Sequence, residues 1–382
     1  MERVYLDWNA TSPVWPEAIE AVAECLREGW GNASSLHEEG RRAADRATLA
    51  REALADWTGS RALEWILTSG GTESIHAAIL GAVAARPGKK RIVTSRGEHS
   101  CTMGVVAELE KKGWEVVRVG LGALGAWDPS EVLDAADPDR TAVVSLIWAN
   151  NETGVVSPVR DLARELKARR IPLHLDAVQC FGRVPVDLST IPVSMVSLSA
   201  HKFGAPKGVG ALFVRQGTPW SRWMQGGNQE RARRGGTVNV PGAAGMRAAI
   251  EKARTVDLER ILYARDHLEK TVLARIPVCR VVGGGSERLP NTSCLCLPGC
   301  DSSTLLDRLD ARGYAVASGS ACTTGVSDPS HVLLAMGMSP EDAHATIRIS
   351  MGHATNFDGM DDFVDVLEQE VASVRARAFP IL

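Results

Sequence analysis

The chain has 382 residues, 45% of them hydrophobic and 23% charged, with a formal net charge of −3. That is ordinary globular composition, long enough for two or three domains and a large core. A near-neutral balance gives no electrostatic reason to expect nucleic acid or an anionic membrane as a partner, and no apolar run is long enough to span a bilayer.

The N-terminus, Met-Glu-Arg-Val-Tyr-Leu-Asp, lacks the apolar stretch of a signal peptide, so a cytoplasmic protein is expected. Eight cysteines (Cys25, Cys101, Cys180, Cys279, Cys294, Cys296, Cys300, Cys322) are scattered along it. In a reducing compartment they are not expected to build a disulfide framework. Cys294, Cys296 and Cys300 stand close together, but Thr-Ser-Cys-Leu-Cys-Leu-Pro alternates as a strand does and lacks zinc-knuckle spacing. They are expected to pack and not to hold a metal.

In chain order, the predicted elements alternate between strand and helix. Trp65–Thr68 reads as a strand, followed by a helix over 73–85. Arg91–Ser95 is a strand, 102–112 a helix, 114–119 and 142–148 strands, and 159–169 a helix with basic residues in its last turns. Leu173–Asp176, Met195–Ser199 and 210–215 complete a set of seven strands. Such alternation predicts an α/β domain around a mostly parallel sheet. From Gly242 one long helical pattern runs to Lys270. Beyond Pro277 come a strand, a helix over 302–312, a strand over 314–317, a Gly/Ser loop, and helices near 332–336 and 360–378. This reads as a smaller α+β domain. The expected division is a large domain over 15–255 and a small one formed by 1–14 and 256–382.

Ligands of open α/β sheets bind beyond the carboxyl ends of the strands, and the polar motifs fall there. Met195-Val-Ser-Leu-Ser-Ala-His-Lys runs from a strand into a Gly-rich loop carrying Ser199, His201 and Lys202. A lysine at the end of a buried strand loses charge on desolvation, and the neutral amine is the form that makes a Schiff base. Thr68-Ser-Gly-Gly-Thr-Glu opens a helix after a strand, where glycines and free N–H groups suit a phosphate at Gly71 and Thr72. Asp176 ends another strand and could hold a protonated ring nitrogen, with Gln179 one turn on as a donor to a ring oxygen. The plain alternatives are a structural turn with a solvated lysine at Lys202, an ordinary N-cap at Thr68-Ser-Gly-Gly-Thr-Glu and a helix-capping aspartate at Asp176. His99, in Arg96-Gly-Glu-His-Ser, stands free to stack on a flat ring or move protons, and Asn150-Asn151 adds amide donors. Phosphate donors, an acid, a stacking histidine and a Schiff-base lysine are together the fittings that pyridoxal phosphate (PLP) requires. Finally, Ala317-Ser-Gly-Ser-Ala-Cys-Thr-Thr-Gly sets Cys322 among small residues, a setting suited to a nucleophilic thiol and unlike the apolar run around Cys279.

Read together, these motifs resemble the cysteine desulfurases of the NifS/IscS type, class V aminotransferases among the fold-type I PLP enzymes. The resemblance spans nearly the whole chain. It includes Gly31-Asn-Ala-Ser-Ser-Leu-His, Asp176-Ala-Val-Gln, Ser199-Ala-His-Lys, Gly226-Gly-Asn-Gln-Glu-Arg, Gly236-Thr-Val-Asn-Val-Pro, Ser318-Gly-Ser-Ala-Cys and Pro329-Ser-His-Val-Leu. It implies that Lys202 binds PLP, His99 stacks on the ring, Asp176 pairs with the pyridine nitrogen, and Gln179 and Asn151 contact the ring. It assigns Gly71, Thr72, Ser199 and His201 to the phosphate, with Thr237 reaching in from the partner of a homodimer. Asn32 and Arg348 match positions that hold the substrate carboxylate. Cys322 matches the nucleophile that takes sulfur from L-cysteine, in the group with a long loop, and passes it to an acceptor protein. An iron–sulfur scaffold, a tRNA-thiolation enzyme and a DNA-phosphorothioation system all suit that acceptor.

Trp8-Asn9, Ala33, Phe203-Gly-Ala, Asn228 and Gly235 depart from the usual pattern without removing a catalytic group. Rival readings are another PLP lyase of this fold, such as a selenocysteine lyase or kynureninase-like enzyme, and a sulfur-relay scaffold. A nicotinamide site is excluded because no Gly-x-Gly-x-x-Gly follows the first strand.

Overall fold

The computed structural model describes residues 3–319 and 328–378. Its thirteen strands in chain order are β1 (Val4–Tyr5), β2 (Trp65–Thr68), β3 (Arg91–Ser95), β4 (Glu115–Val119), β5 (Thr141–Ile147), β6 (Leu173–Asp176), β7 (Met195–Ser199), β8 (Gly210–Val214), β9 (Arg280–Val281), β10 (Thr292–Cys296), β11 (Tyr314–Ala315), β12 (Ala317–Ser318) and β13 (Thr346–Ser350). Seven of them form one sheet in the order β2-β8-β7-β6-β5-β3-β4. Only β8 runs against its neighbours β2 and β7; the other pairings are parallel. The fold is therefore α/β, of the mostly parallel type read from the strand–helix alternation.

Strands of such a sheet are buried on both faces, which is why they read as continuous apolar runs. Val93, Leu146, Leu175, Leu198 and Phe213 point to one face and join Leu54, Leu166 and Ile250 from covering helices. Ile66, Ile92, Met195 and Leu212 point to the other, against Ile75, Ile79, Val105 and Val106. The helices Gly71–Ala85 and Ser100–Lys111 thus cover one face. Glu38–Thr58, Arg160–Ala168 and Val240–Ala253 cover the opposite one.

A second sheet, β12-β13-β10-β9, is antiparallel and packs with helices Leu258–Arg275, Ser302–Ala311 and Met360–Ala378 around Leu268, Leu305, Ile347, Phe363 and Leu367. The first strand, β1, pairs in parallel with β11, so the N-terminus is tied to this C-terminal unit.

Two sequence expectations change. The single helical pattern from Gly242 to Lys270 is two helices, because Asp257 accepts the Arg260 N–H at 3.0 Å and starts a new one. The strand over 314–317 is two short ones, β11 and β12, in different sheets. Cys294 and Cys296 lie on the same face of β10, packed with Val332 and Leu333, while Cys279 and Cys300 join the other cluster. Among the described residues no helix is long and apolar enough to cross a membrane.

One buried ion pair closes the outer edge of the main sheet. Arg51 and Glu230 are 8% and 5% exposed, and the Glu230 carboxylate also accepts the N–H of Leu67 on edge strand β2 at 3.0 Å. Removing one partner strands a buried charge and bares an edge N–H. Glu230→Ala is expected to cost about 3–5 kcal/mol, seen as a lower urea midpoint. A midpoint equal to the parent's would show that the pair contributes nothing.

Candidate active site

The carboxyl ends of β2, β3, β5, β6 and β7 open onto one cavity of about 330 Å³. Strand β6 ends at Asp176, and β7 ends at Ser199 and passes directly into the short turn Ala200–Phe203 that carries His201 and Lys202. Gly204 closes this turn at φ +90°, a conformation that favours glycine. Of the residues singled out from sequence, Gly71, Thr72, His99, Asn151, Asp176, Gln179, Ser199, His201, Lys202 and Arg348 all line the cavity.

Lys202 is half-buried, and its Nζ donates to the carbonyls of Asn9 at 2.6 Å and Ala10 at 2.8 Å. Burial first, then the charges of Arg183 and Arg348, lower its pKa to about 7 against the pull of Asp7 and Asp176. Near neutral pH about half of these amines are therefore uncharged. Asp176 is 3% exposed; burial raises its pKa to about 6, and its Oδ1 accepts the Val178 N–H at 3.0 Å. Such a carboxylate is poorly solvated and would gain from a cation brought into the cavity.

The helix Gly71–Ala85 begins without a side-chain cap, leaving its first N–H groups to whatever enters. A Cβ on Gly71 would come 3.0 Å from Val178 and 3.3 Å from Ser199, so this corner of the cavity is tight and a side chain there would press its neighbours back. Ser199 and His201 complete it. Burial, then the charges of Lys202, Lys207 and Arg183, lowers the His201 pKa to about 4, so the ring is neutral.

His99 caps the helix Ser100–Lys111: its Nδ1 accepts the Cys101 N–H at 3.2 Å and lies 3.0 Å from the Cys101 thiol. Burial pushes that thiol up to about 12, so it stays protonated and can donate. With two donors on Nδ1, the neutral ring carries its proton on Nε2. Burial, Lys202 and His331 lower the His99 pKa.

Arg348 reaches the cavity from β13. Its Nη2 donates to Asp7 Oδ1 at 2.6 Å and its Nη1 to the Asn151 carbonyl at 3.0 Å, while its Nε has no partner among the described residues. Asn32 and Thr237 do not line this cavity. Asn32 is exposed in the loop before the helix Glu38–Thr58, its Oδ1 accepting the Ser34 N–H, and Thr237 is exposed before the helix Val240–Ala253. Cys322 lies outside the described residues.

The sequence reading missed several supports. Asn9 is 1% exposed, donates to the Asn151 carbonyl and to Thr292, and accepts from Asn291. Its carbonyl receives both Lys202 and the Gln179 amide. Glu98 is fully buried behind His99, with a pKa raised to about 8 by burial; its Oε1 accepts from Ser95 and the Ile147 N–H. Apart from Glu98 following Gly97, no local pattern marks them, because they act through contacts distant in sequence.

Residues 4–363 match the model of the aminotransferase class-V family. This chain belongs to that family. A cysteine desulfurase of Cereibacter sphaeroides is 43% identical over 378 residues, covering 98% of this chain and 97% of its own. Among solved structures, a NifS-like protein aligns with a TM-score of 0.89 at 32% identity, covering 97% of this chain and 100% of that one. SspA in complex with cysteine aligns with a TM-score of 0.82 at 29% identity, over 92% of this chain and 100% of that one. Class-V aminotransferases use PLP. The cavity suits that group on its own terms: a poorly solvated buried acid, an uncapped helix start opened by a glycine in a tight corner, and a lysine whose pKa is brought near 7.

Proposed function

We propose that this chain is a cysteine desulfurase that takes sulfur from L-cysteine, releasing L-alanine and leaving a persulfide on Cys322. The observation that carries the reading is the meeting of Lys202, Asp176 and the uncapped start of the helix Gly71–Ala85 in one cavity. The relatives named cysteine desulfurases and the cysteine-bound neighbour support it.

When bound, PLP supplies an electron-accepting ring that acidifies the Cα proton of an attached amino acid. Lys202 offers the neutral amine to which the cofactor attaches. Asp176 would hold a proton on the ring nitrogen, Gln179 and Asn151 would contact the ring, and His99 would stack on it and carry a proton at Nε2. Gly71, Thr72, Ser199 and His201 take the phosphate, joined by Thr237 from the second subunit of a homodimer. Arg348, kept in place by Asp7, would hold the substrate carboxylate; Asn32 lies outside this cavity and would have to reach it from the second subunit, as Thr237 does. The supply of sulfur to an iron–sulfur scaffold, a thiolation enzyme or a phosphorothioation system would follow from the persulfide, in the cytoplasm.

We divide the chain into a large domain over 15–255, holding the cofactor, and a small one over 1–14 and 256–382 carrying Cys322. The pairing of β1 with β11 and the separate core around Leu268 and Phe363 favour that division.

The test is direct. Purified full-length protein given PLP and L-cysteine should form alanine and sulfane sulfur in equal amounts. Absence of alanine would sink the reading.

A further inference from the structure

Arg183 is a buried cation that the reading above leaves without a task. It is 7% exposed, and among the described residues no carboxylate pairs with it. Its partners are neutral oxygens: Nη1 donates to the Gln179 carbonyl at 3.3 Å and to the Gln179 side-chain oxygen, and Nη2 donates to the carbonyls of Trp8 and Lys202, each at 3.2 Å. Burial lowers its pKa to about 10, which leaves it charged at neutral pH. An unpaired buried charge is costly, so its retention calls for a use.

The contacts suggest two. An amide side chain has an oxygen end and a nitrogen end, and a guanidinium can only donate. Arg183 therefore selects the oxygen of Gln179, which turns the nitrogen the other way. That nitrogen gives one hydrogen to the Asn9 carbonyl at 3.0 Å, and its second remains for a ligand in the cavity. The same guanidinium donates to the backbone carbonyl of Lys202, and its positive charge is felt at the amine of that residue. A second cation close by opposes protonation of the first.

We propose that Arg183 is a positioning residue: its fork sets Gln179 as a donor toward the cofactor ring, and its charge favours the neutral form of the nitrogen at Lys202. The proposal rests on the PLP-binding reading above. Arg348, Asp7, Asp176, His99 and His201 also face the Lys202 nitrogen, and they are left unchanged by the test.

Two variants of the full-length protein separate fork from charge. Arg183→Lys keeps the charge and loses the fork, whereas Arg183→Met loses both. The measurements are the pH midpoint of the visible absorbance of the PLP-loaded protein and the affinity of the stripped protein for PLP. Arg183→Met should raise the midpoint by roughly one pH unit, because the protonated nitrogen no longer meets a like charge. Arg183→Lys should keep the parent midpoint. Both variants should bind PLP about tenfold more weakly, as one well-placed donor is loosened. A parent midpoint and parent affinity in Arg183→Met would overturn the proposal. Should Arg183→Met fail to fold, an unchanged affinity in Arg183→Lys overturns the fork and a raised midpoint there overturns the role of charge. A parent protein that shows no visible band at all counts against the PLP reading itself.

Discussion

Replacing Lys202 by alanine is expected to abolish the visible absorbance of the protein incubated with PLP and to lower turnover of L-cysteine by about 10²–10⁴-fold or more. Lys202 is the one lysine among the residues lining the cavity. Its amine rests on the carbonyls of Asn9 and Ala10, close to where a ligand must enter, and is held near a pKa of 7. The sign of the pH effect follows. Only the free base attacks an aldehyde, so cofactor capture by the parent protein should rise through pH 7 and level off above it. An exposed lysine would keep rising toward pH 10. Alanine removes both the attachment and an amine that, with His99, can move the Cα proton. Surviving absorbance in Lys202→Ala would assign attachment to a different lysine.

Cys322→Ser should have an equally large effect of a different kind: full visible absorbance with no sulfur transfer. A serine hydroxyl is a far weaker nucleophile toward sulfur than a thiolate at neutral pH. The flanks of the segment bearing Cys322 come together on one buried carboxylate. Ser330 Oγ donates to Glu152 Oε2 at 2.5 Å, and a Cβ on Gly319 would lie 2.8 Å from the same oxygen. The described cysteine that does line the cavity, Cys101, is a poor substitute, because burial pushes its thiol up to about 12. If Cys322→Ser turns over L-cysteine at the parent rate, the persulfide must form elsewhere, and Cys101→Ser becomes the decisive variant. Sulfane sulfur found on the protein by mass measurement distinguishes the two.

Much of this was readable one segment at a time. Parallel strands buried on both faces leave short apolar runs, so Arg91–Ser95, Leu173–Asp176 and Met195–Ser199 are found at their predicted bounds. Their polar ends stand out because a charged or small residue just past such a run has only the sheet edge to occupy. The helices Pro16–Glu28 and Glu38–Thr58 passed unread. The second is rich in alanine, arginine and glutamate, and its buried stripe of Ala43, Ala47, Ala50 and Leu54 offers little apolar contrast. Strand β13 also went unread, although Arg348 on it was singled out: Thr-Ile-Arg-Ile-Ser breaks the apolar run with three polar residues that the fold nevertheless buries.

The sequence by itself determined the reacting groups, since lysine, aspartate, histidine and the glycine-opened helix announce their chemistry where they stand. Tertiary structure alone decided how those groups are tuned. Asn9, Arg183 and Glu98 reach the site across the fold, and their effect depends on distance and burial: a carbonyl 2.6 Å from an amine, a guanidinium with no carboxylate among the described residues, an acid buried away from the surface. Charge and desolvation act through space, and separation along the chain carries no record of either.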